Sequence, residues 1–235
     1  MKLLLISNST NAGDTYLNHP KEEIARFLAT DIKKVLFFPY AAVTFSYEAY
    51  EKKVADRFGQ FGIAVESIHR LRDAREAVLD AQALVVGGGN TWQLARMLHD
   101  HGLIDVVREK VLTGTPYIGW SAGANVACPT IRTTNDMPIV DPDGLHAFNL
   151  IPFQINPHYM DANPEGHAGE TREQRIEEFI EINPDLYVVG LREGTMLRID
   201  NKHVELIGPR PARIFRKGDA PFEVEAGGEL GFLME

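Results

Sequence analysis

The stretch Gly119-Trp-Ser-Ala-Gly123 carries residue types at a spacing that can do chemistry. The apolar run Pro116-Tyr-Ile precedes it and Ala124-Asn-Val-Ala127 follows with helix-compatible composition, so G-x-S-x-G stands between a strand and a helix. A serine there sits on a tight turn that lifts its hydroxyl clear of the sheet edge, and small neighbours let the backbone approach a substrate. Gly and Ser are also ordinary at strand–helix turns, and the pattern recurs by chance. Ser121 is the candidate nucleophile. A second turn, Gly87-Gly-Gly-Asn-Thr91, comes after the apolar Ala83-Leu-Val-Val86. Its glycines permit positive φ and leave N–H groups uncovered for an anion or a developing oxyanion. Asn90 can cap the next helix, with Gln93 completing a pair like a capping box, and the helix terminus adds positive potential there. No Lys-Ser/Thr comes after the glycines and the spacing misses G-x-G-x-x-G, so nucleotide loops fit poorly. An oxyanion site and a purely structural turn remain the two main readings.

A serine nucleophile needs a base, normally a histidine oriented by a carboxylate. Of eight histidines, His69, His99 and His101 fall on or beside expected helices and are expected at the surface, and His203 in a late, exposed strand. His19, His146 and His167 fall in polar loops. His158, in Phe153-Gln-Ile-Asn-Pro-His158, ends an apolar stretch, and the preceding proline stiffens its approach. His158 is therefore the best-placed base, with a hydrogen-bonded loop histidine as the alternative. Two acids compete to orient it: Asp136 in Thr133-Thr-Asn-Asp-Met-Pro138, and Glu193 in Leu191-Arg-Glu-Gly194. Glu193 lies just past the apolar run 186–191, where an open α/β sheet places active-site residues. Arg172 is an anomaly. Thr171 and Gln174 form a capping-box pattern, which puts Arg172 in the first helical turn where the dipole disfavours a cation. Either it pairs with Glu170 or Glu173, or it receives a substrate carboxylate as a two-pronged donor. Arg172 and Asn90 are the candidate substrate-binding residues. Cys128, the one cysteine, is expected inside the helix after Ser121 as a buried structural thiol. No H-E-x-x-H and no cysteine pair occurs, so neither metal nor other cofactor is expected.

The elements that must position these groups alternate. Strands are expected at 3–7, 35–39, weakly at 63–68, at 83–86 and at 116–118, with helices at 22–29, 46–61, 74–81 and 92–101. That spacing predicts βαβ units: an α/β fold with a mainly parallel sheet flanked by helices. The pattern loosens from about 127 through a region rich in turn formers, before a helix at 171–182 and short strands at 186–191, 195–199, 203–207, 212–215 and 222–226. No repeat or linker interrupts it, so one domain over 1–235 is expected. The composition, 44% hydrophobic and 24% charged, is ordinary for a globular protein with a sizeable core. A net charge of −9 with scattered basic residues gives no nucleic-acid footprint. It also opposes long-range steering of acidic ligands, so an anion must be captured by a locally placed Arg or Lys. The opening apolar run is cut short by Ser7-Asn-Ser-Thr-Asn11, too soon for a signal peptide, and no stretch approaches a membrane span. A cytoplasmic protein, monomeric or homodimeric, is expected.

Asn8-Ser-Thr, the GGGNT turn, Gly119-Trp-Ser-Ala-Gly-Ala-Asn125 and the run from Cys128 to Pro142 closely resemble the peptidase E family. So do Ile155-Asn-Pro-His158, Pro164-Glu-Gly-His167 and Gly169-Glu-Thr-Arg-Glu-Gln-Arg175, and the resemblance spans roughly 2–216. It implies a class-I-glutamine-amidotransferase-like fold and a cytoplasmic serine peptidase of the α-aspartyl dipeptidase type, acting on short peptides with N-terminal aspartate. Ser121 is then the nucleophile, His158 the base, and Asp136 the acid, with Glu193 a competing assignment. The backbone N–H groups of Gly89 and Ala122 become the oxyanion donors, and Arg172 the recognition group for the aspartyl side chain. Arg192 stands where the family has a proline, adding a cation beside Glu193. The last twenty residues lie outside the resemblance. An esterase or other acyl hydrolase on the same scaffold, and a non-catalytic ligand-binding relative, are the alternatives.

Overall fold

β1 (Lys2–Ile6) opens the chain with Leu3, Leu4, Leu5 and Ile6 all fully buried. Successive side chains of a strand point to opposite faces, so an unbroken apolar run requires cover on both. Leu3 and Leu5 pack with Phe38, Val86 and Tyr117 in one core cluster, and Leu4 and Ile6 with Phe37, Val85 and Trp120 in another. The computed structural model describes residues 1–28, 31–163, 165–166 and 168–235. Pro164 and the loop candidate His167 lie outside them.

The next elements are α1 (Lys21–Leu28), β2 (Lys34–Phe38), α2 (Tyr47–Phe58), β3 (Ala64–Ser67), α3 (Ala74–Asp80), β4 (Leu84–Val86), α4 (Thr91–Asp100), α5 (Ile104–Leu112), β5 (Tyr117–Trp120) and α6 (Ala122–Asn125). Then come β6 (Gln154–Tyr159), α7 (Arg172–Ile182), β7 (Val188–Arg192), β8 (Met196–Asp200), β9 (His203–Ile207), β10 (Ala212–Phe215) and β11 (Phe222–Val224). α1 and α2 cover one face of the large sheet with Ile24, Leu28, Tyr50, Val54 and Phe58. α3, α4 and α5 cover the other with Val78, Leu94, Leu98, Val107 and Val111. Among the described residues, no helix is long and apolar enough to cross a membrane.

The large sheet has the order β3-β2-β4-β5-β1-β8-β9. Its first five strands are parallel, as the βαβ spacing requires, and β8 and β9 add an antiparallel edge. Register decides what this sheet offers. Val86 pairs with Gly119 and Gly119 with Leu5, so β4, β5 and β1 end level with one another. Their C-terminal ends therefore release Gly87-Gly-Gly-Asn90, Ser121 and Ser7-Asn8 side by side. The late strands do not simply extend this sheet. β6, β7, β10 and β11 form a second, four-stranded one, in which only β6 and β7 are parallel. Ile155, Val189, Leu191 and Ile214 join the first core cluster, while Val188, Tyr159 and Phe215 meet Ile176 and Ile180 of α7 on the opposite face.

Two elements differ from expectation. α5 is absent from the expected helices, because its sequence IDVVREKVL is rich in β-branched residues that lower helix propensity; burial of Val106, Val107 and Val111 against the sheet stabilises it instead. The helix after Ser121 is a single turn, so Cys128 lies beyond α6 rather than inside it.

Candidate active site

Ser121 is held in a backbone conformation few residues tolerate, φ 53° and ψ −112°. Strain of this kind costs about 1–3 kcal/mol and persists only where the surroundings over-determine it. Here the Ser121 N–H donates to Ile6 O at 2.9 Å, and its carbonyl accepts from the Ala124 and Asn125 N–H groups at 2.9 Å each. Both motif glycines are demanded by close approach. A Cβ on Gly119 would lie 2.2 Å from Gly123 O, and one on Gly123 would lie 2.2 Å from Val86 O.

The base arrives from the second sheet. β6 and β7 run in register to Pro157–Leu191, then shift so that Tyr159 meets Arg192, which leaves His158 as the extra residue of a bulge with φ 53°. A bulge re-aims the side chain it carries. His158 Nε2 lies 2.9 Å from Ser121 Oγ, and His158 Nδ1 lies 2.7 Å from Glu193 Oε1. The carboxylate accepts, so Nδ1 carries the proton and Nε2 offers its lone pair to the serine hydroxyl. The serine, histidine and glutamate thus form a relay, contributed by one strand of the first sheet and two parallel strands of the second.

Asp136 is not part of that relay, contrary to the role the resemblance implies. Its Oδ2 accepts from the Thr91 N–H at 2.7 Å, the Thr91 hydroxyl at 2.6 Å and the Thr134 hydroxyl at 3.1 Å. A carboxylate is favoured at a helix N-terminus, and Asp136 sits at that of α4. The cause is register again: Asn156 Nδ2 donates to Thr133 O and Asn135 Oδ1, and Asn135 Nδ2 to Pro157 O, fastening the 133–136 segment alongside β6 and short of the imidazole. Asn90 is likewise engaged inside the protein. Its Oδ1 caps α4 by accepting from Gln93 N at 3.0 Å, and its Nδ2 donates to Met137 O at 2.9 Å. The cap agrees with the sequence pattern; a substrate contact for this side chain is not what the structure provides.

The GGGNT turn lies against the serine. Gly89 has φ 139°, and a Cβ there would lie 2.2 Å from Ala41 O, so no other residue fits. The Tyr50 hydroxyl, fully buried, donates to Gly88 O at 2.9 Å and accepts from Trp120 Nε1 at 3.1 Å. In a trans peptide the C=O and the next N–H point in opposite directions. Holding Gly88 O against Tyr50 therefore turns the Gly89 N–H away from the core. Neither that N–H nor the Ala122 N–H at the start of α6 donates to a carbonyl among the described loop and cap hydrogen bonds. Gly88, Gly89, Trp120, Ser121 and His158 line a cleft of about 400 Å³, with Asp136 at its border.

Supporting residues that the sequence did not mark as part of the site lie at the end of β1. Ser7 Oγ accepts from His158 N at 3.0 Å and donates to Leu191 O at 2.7 Å. Asn8 Oδ1 accepts from Gly194 N at 2.8 Å, gripping the turn that carries Glu193. Both fall where the strand's apolar run turns polar, and Asn8 also opens the Asn8-Ser-Thr run of the family resemblance.

Arg172 opens α7 behind a full Thr171–Gln174 capping box, as expected. It pairs with neither Glu170, which holds Arg175, nor Glu173, which holds Arg213. Its Nε is buried without a partner among the described residues, and its pKa is lowered by burial and by Arg175, against the opposing pull of Asp136. Arg192 does not act as a free cation beside Glu193. Its guanidinium is buried, binding both oxygens of Asp161 and of Glu223 together with Pro211 O. Cys128 is a buried thiol whose pKa burial pushes up to about 12, and it accepts from the Ile155 N–H. The other described histidines do not reach the serine. His99 packs on His146, His101 stacks on Tyr40, His69 bonds Ser67, His203 is exposed on β9, and both His19 ring nitrogens are buried without a hydrogen-bond partner among the described residues.

Residues 3–207 match the family description "Peptidase family S51". The chain belongs to that family. It is 50% identical over 234 residues to "Peptidase E" of Nostoc sp. (strain PCC 7120 / SAG 25.82 / UTEX 2576), covering 100% of this chain and 97% of that one. It is 47% identical over 227 residues to "Peptidase E" of Salmonella newport (strain SL254), covering 97% and 99%. The Nostoc alignment includes the last twenty residues, which fall outside the motif resemblance. The crystal structure of a peptidase from an acI-B1 Actinobacterium superposes with a TM-score of 0.69 at 20% identity, over 97% of this chain and 96% of that one, and shares the fold. In this family S51 peptidase, the arrangement of serine, histidine and glutamate is one that can supply an activated hydroxyl, a proton carrier and its orienting acid.

Proposed function

We propose that the chain is a serine-type dipeptidase that hydrolyses Asp-Xaa peptides, with Ser121 as nucleophile, His158 as base and Glu193 as the orienting acid. The observation that carries this reading is the continuous Ser121–His158–Glu193 relay, with contacts of 2.9 and 2.7 Å. The Ser121 oxygen attacks the scissile carbonyl carbon as its proton passes to His158 Nε2. The carbonyl π pair moves to oxygen, where the Gly89 and Ala122 N–H groups receive the oxyanion. Collapse breaks the C–N bond, and His158 returns its proton to the leaving amine. Water then repeats the sequence on the acyl-serine, freeing aspartate.

The preference for aspartate rests on Arg172. An acidic protein captures a carboxylate only through a placed cation, and this half-buried guanidinium has an Nε unpartnered among the described residues and lies within the field of Asp136. The substrate side chain pairs with Arg172 and its α-ammonium with Asp136, which borders the cleft. A site built for a charged partner rejects analogues that lack it. Arg172→Met is expected to raise KM for Asp-Xaa at least about tenfold while leaving fluorophosphonate labelling of Ser121 intact. Equal kcat/KM for Asp-Leu and Ala-Leu in the wild type would refute aspartyl specificity. Preference for simple esters over any peptide would favour an esterase, and a Ser121 that resists the probe a non-catalytic relative.

A further inference from the structure

An Asp-Xaa dipeptide with an uncharged second side chain carries three charges, and the proposed site accounts for two of them, the aspartyl carboxylate and the α-ammonium. The third is the carboxylate of the leaving residue. Ser9, Tyr16, Phe45, Tyr50 and Lys53 complete the lining of the Ser121 cleft, and Lys53 is the one lysine or arginine among its described lining residues. Lys53 Nζ sits 4.0 Å above the centre of the Tyr16 ring, and no carboxylate pairs with it among the described ion pairs. Its neighbour Lys52 does have one, at Asp56. Tyr16 in turn meets Trp120, the residue before the nucleophile, edge to face at 6.3 Å. A continuous wall therefore runs from the serine to a free ammonium.

A second observation on the same wall points to a ligand. The Tyr16 hydroxyl is buried within the electrostatic reach of Tyr50 and Trp120, yet among the described residues it makes no hydrogen bond of normal geometry to either. Burial holds its pKa well above the ordinary value, so it remains a donor. Phe45 is 48% exposed, with its ring against Tyr50 at 5.2 Å, an apolar surface left open at the cleft. Cation, donor and apolar wall are what a free amino acid leaving group requires.

We infer that Lys53 and Tyr16 form the subsite for the α-carboxylate of the leaving residue, with Phe45 against its side chain, and that this subsite selects dipeptides over longer or C-terminally blocked peptides. The inference rests on the dipeptidase reading above. An ammonium fixed over an aromatic face is partly ordered before the ligand arrives, so less side-chain freedom is lost on pairing.

The test compares Asp-Leu with Asp-Leu-amide. The wild type is expected to favour the free acid in kcat/KM by roughly fivefold, mostly through KM, and less so at high salt. In Lys53→Met the acid-to-amide ratio should fall to within about twofold of one, and Lys53→Arg should restore much of it. A lysine that only packs on Tyr16 would lower both substrates together and leave the ratio where it was, which would overturn the proposal. A wild type that cleaves acid and amide equally well also overturns it while leaving the dipeptidase reading standing. A wild type that cleaves neither removes that reading and the subsite together.

Discussion

Two acids of similar local character end in different work, and chain direction separates them. Asp136 and Glu193 each lie in a polar turn near a residue of the site, and nothing in either short sequence distinguishes an orienting acid from a helix cap. The difference comes from the bulge at His158, which turns the imidazole toward the β7 end and away from the 133–136 loop. Glu193→Gln keeps the shape but replaces the Nδ1–H acceptor with an amide that can present the wrong group. We expect kcat to fall by about 10²–10⁴, with the melting temperature almost unchanged, because the Glu193 side chain is 45% exposed. Asp136→Asn should instead leave kcat nearly unchanged, raise KM through the lost pairing with the substrate α-ammonium, and cost about 1–2 kcal/mol of stability, since it weakens charge-assisted bonds at the start of α4. Urea melts and steady-state kinetics on the two variants decide the matter. An Asp136 variant that melts normally but has lost kcat, beside a Glu193 variant with near-normal turnover, would return the role to Asp136.

At the scale of elements, the site exists because three parallel strands end level and a second sheet meets them there. The endings were legible: alternation of apolar runs with helical patterns placed β1, β4 and β5, and GGGNT and G-x-S-x-G marked the turns at the ends of β4 and β5. The partnership between sheets was not legible, because it depends on which late strands pair, and short alternating strands carry no information about their neighbours. The third layer of support was silent for another reason. Tyr50 reads as one more apolar position of α2, yet its hydroxyl, between Gly88 O and Trp120 Nε1, sets the direction of the Gly89 N–H. Tyr50→Phe removes that hydrogen bond and little volume. Complete loss of an oxyanion donor costs about 10²–10³ in kcat, and a donor that is loosened rather than lost should cost nearer tenfold. KM should move little, because the oxyanion forms only in the transition state. Measuring both constants, together with affinity for a boronic acid that mimics the tetrahedral adduct, checks this. A rise in KM with kcat and boronate affinity intact would mean that Tyr50 only packs.

The whole molecule closes through its C-terminal end. Leu230 and Leu233 are buried in the first core cluster, and Glu223 on β11 reaches across β10 to Arg192 on β7. Arg192 reads as a stray cation next to the acid of the site, but a strand reverses its facing at every residue, so it points away from Glu193 into the second sheet. There its guanidinium, only 8% exposed, ties Asp161 after β6 to the C-terminal hairpin. The arginine and its hydrogen bonds hold the carboxyls of Asp161 and Glu223 below their ordinary values. Groups whose folded pKa is depressed contribute stability that is full above the unfolded value, near 4, and is lost as pH falls through the folded one. Arg192→Met removes this linkage together with the bond to Pro211 O. Because Asp161 is 60% exposed and Glu223 34%, the released carboxylates can solvate, and the cost at pH 7 should be about 1–3 kcal/mol rather than that of a fully buried pair. The gap between wild type and variant should then narrow from pH 7 to pH 3, as protonation strips from the wild type what the variant already lacks. Urea unfolding at both pH values measures it. A gap that stays constant would mean that the arginine stabilises by resting its guanidinium on Tyr159, its central carbon 5.4 Å from the ring centre, and that its carboxylate pairs contribute nothing to tying β6 and β7 to the C-terminal hairpin.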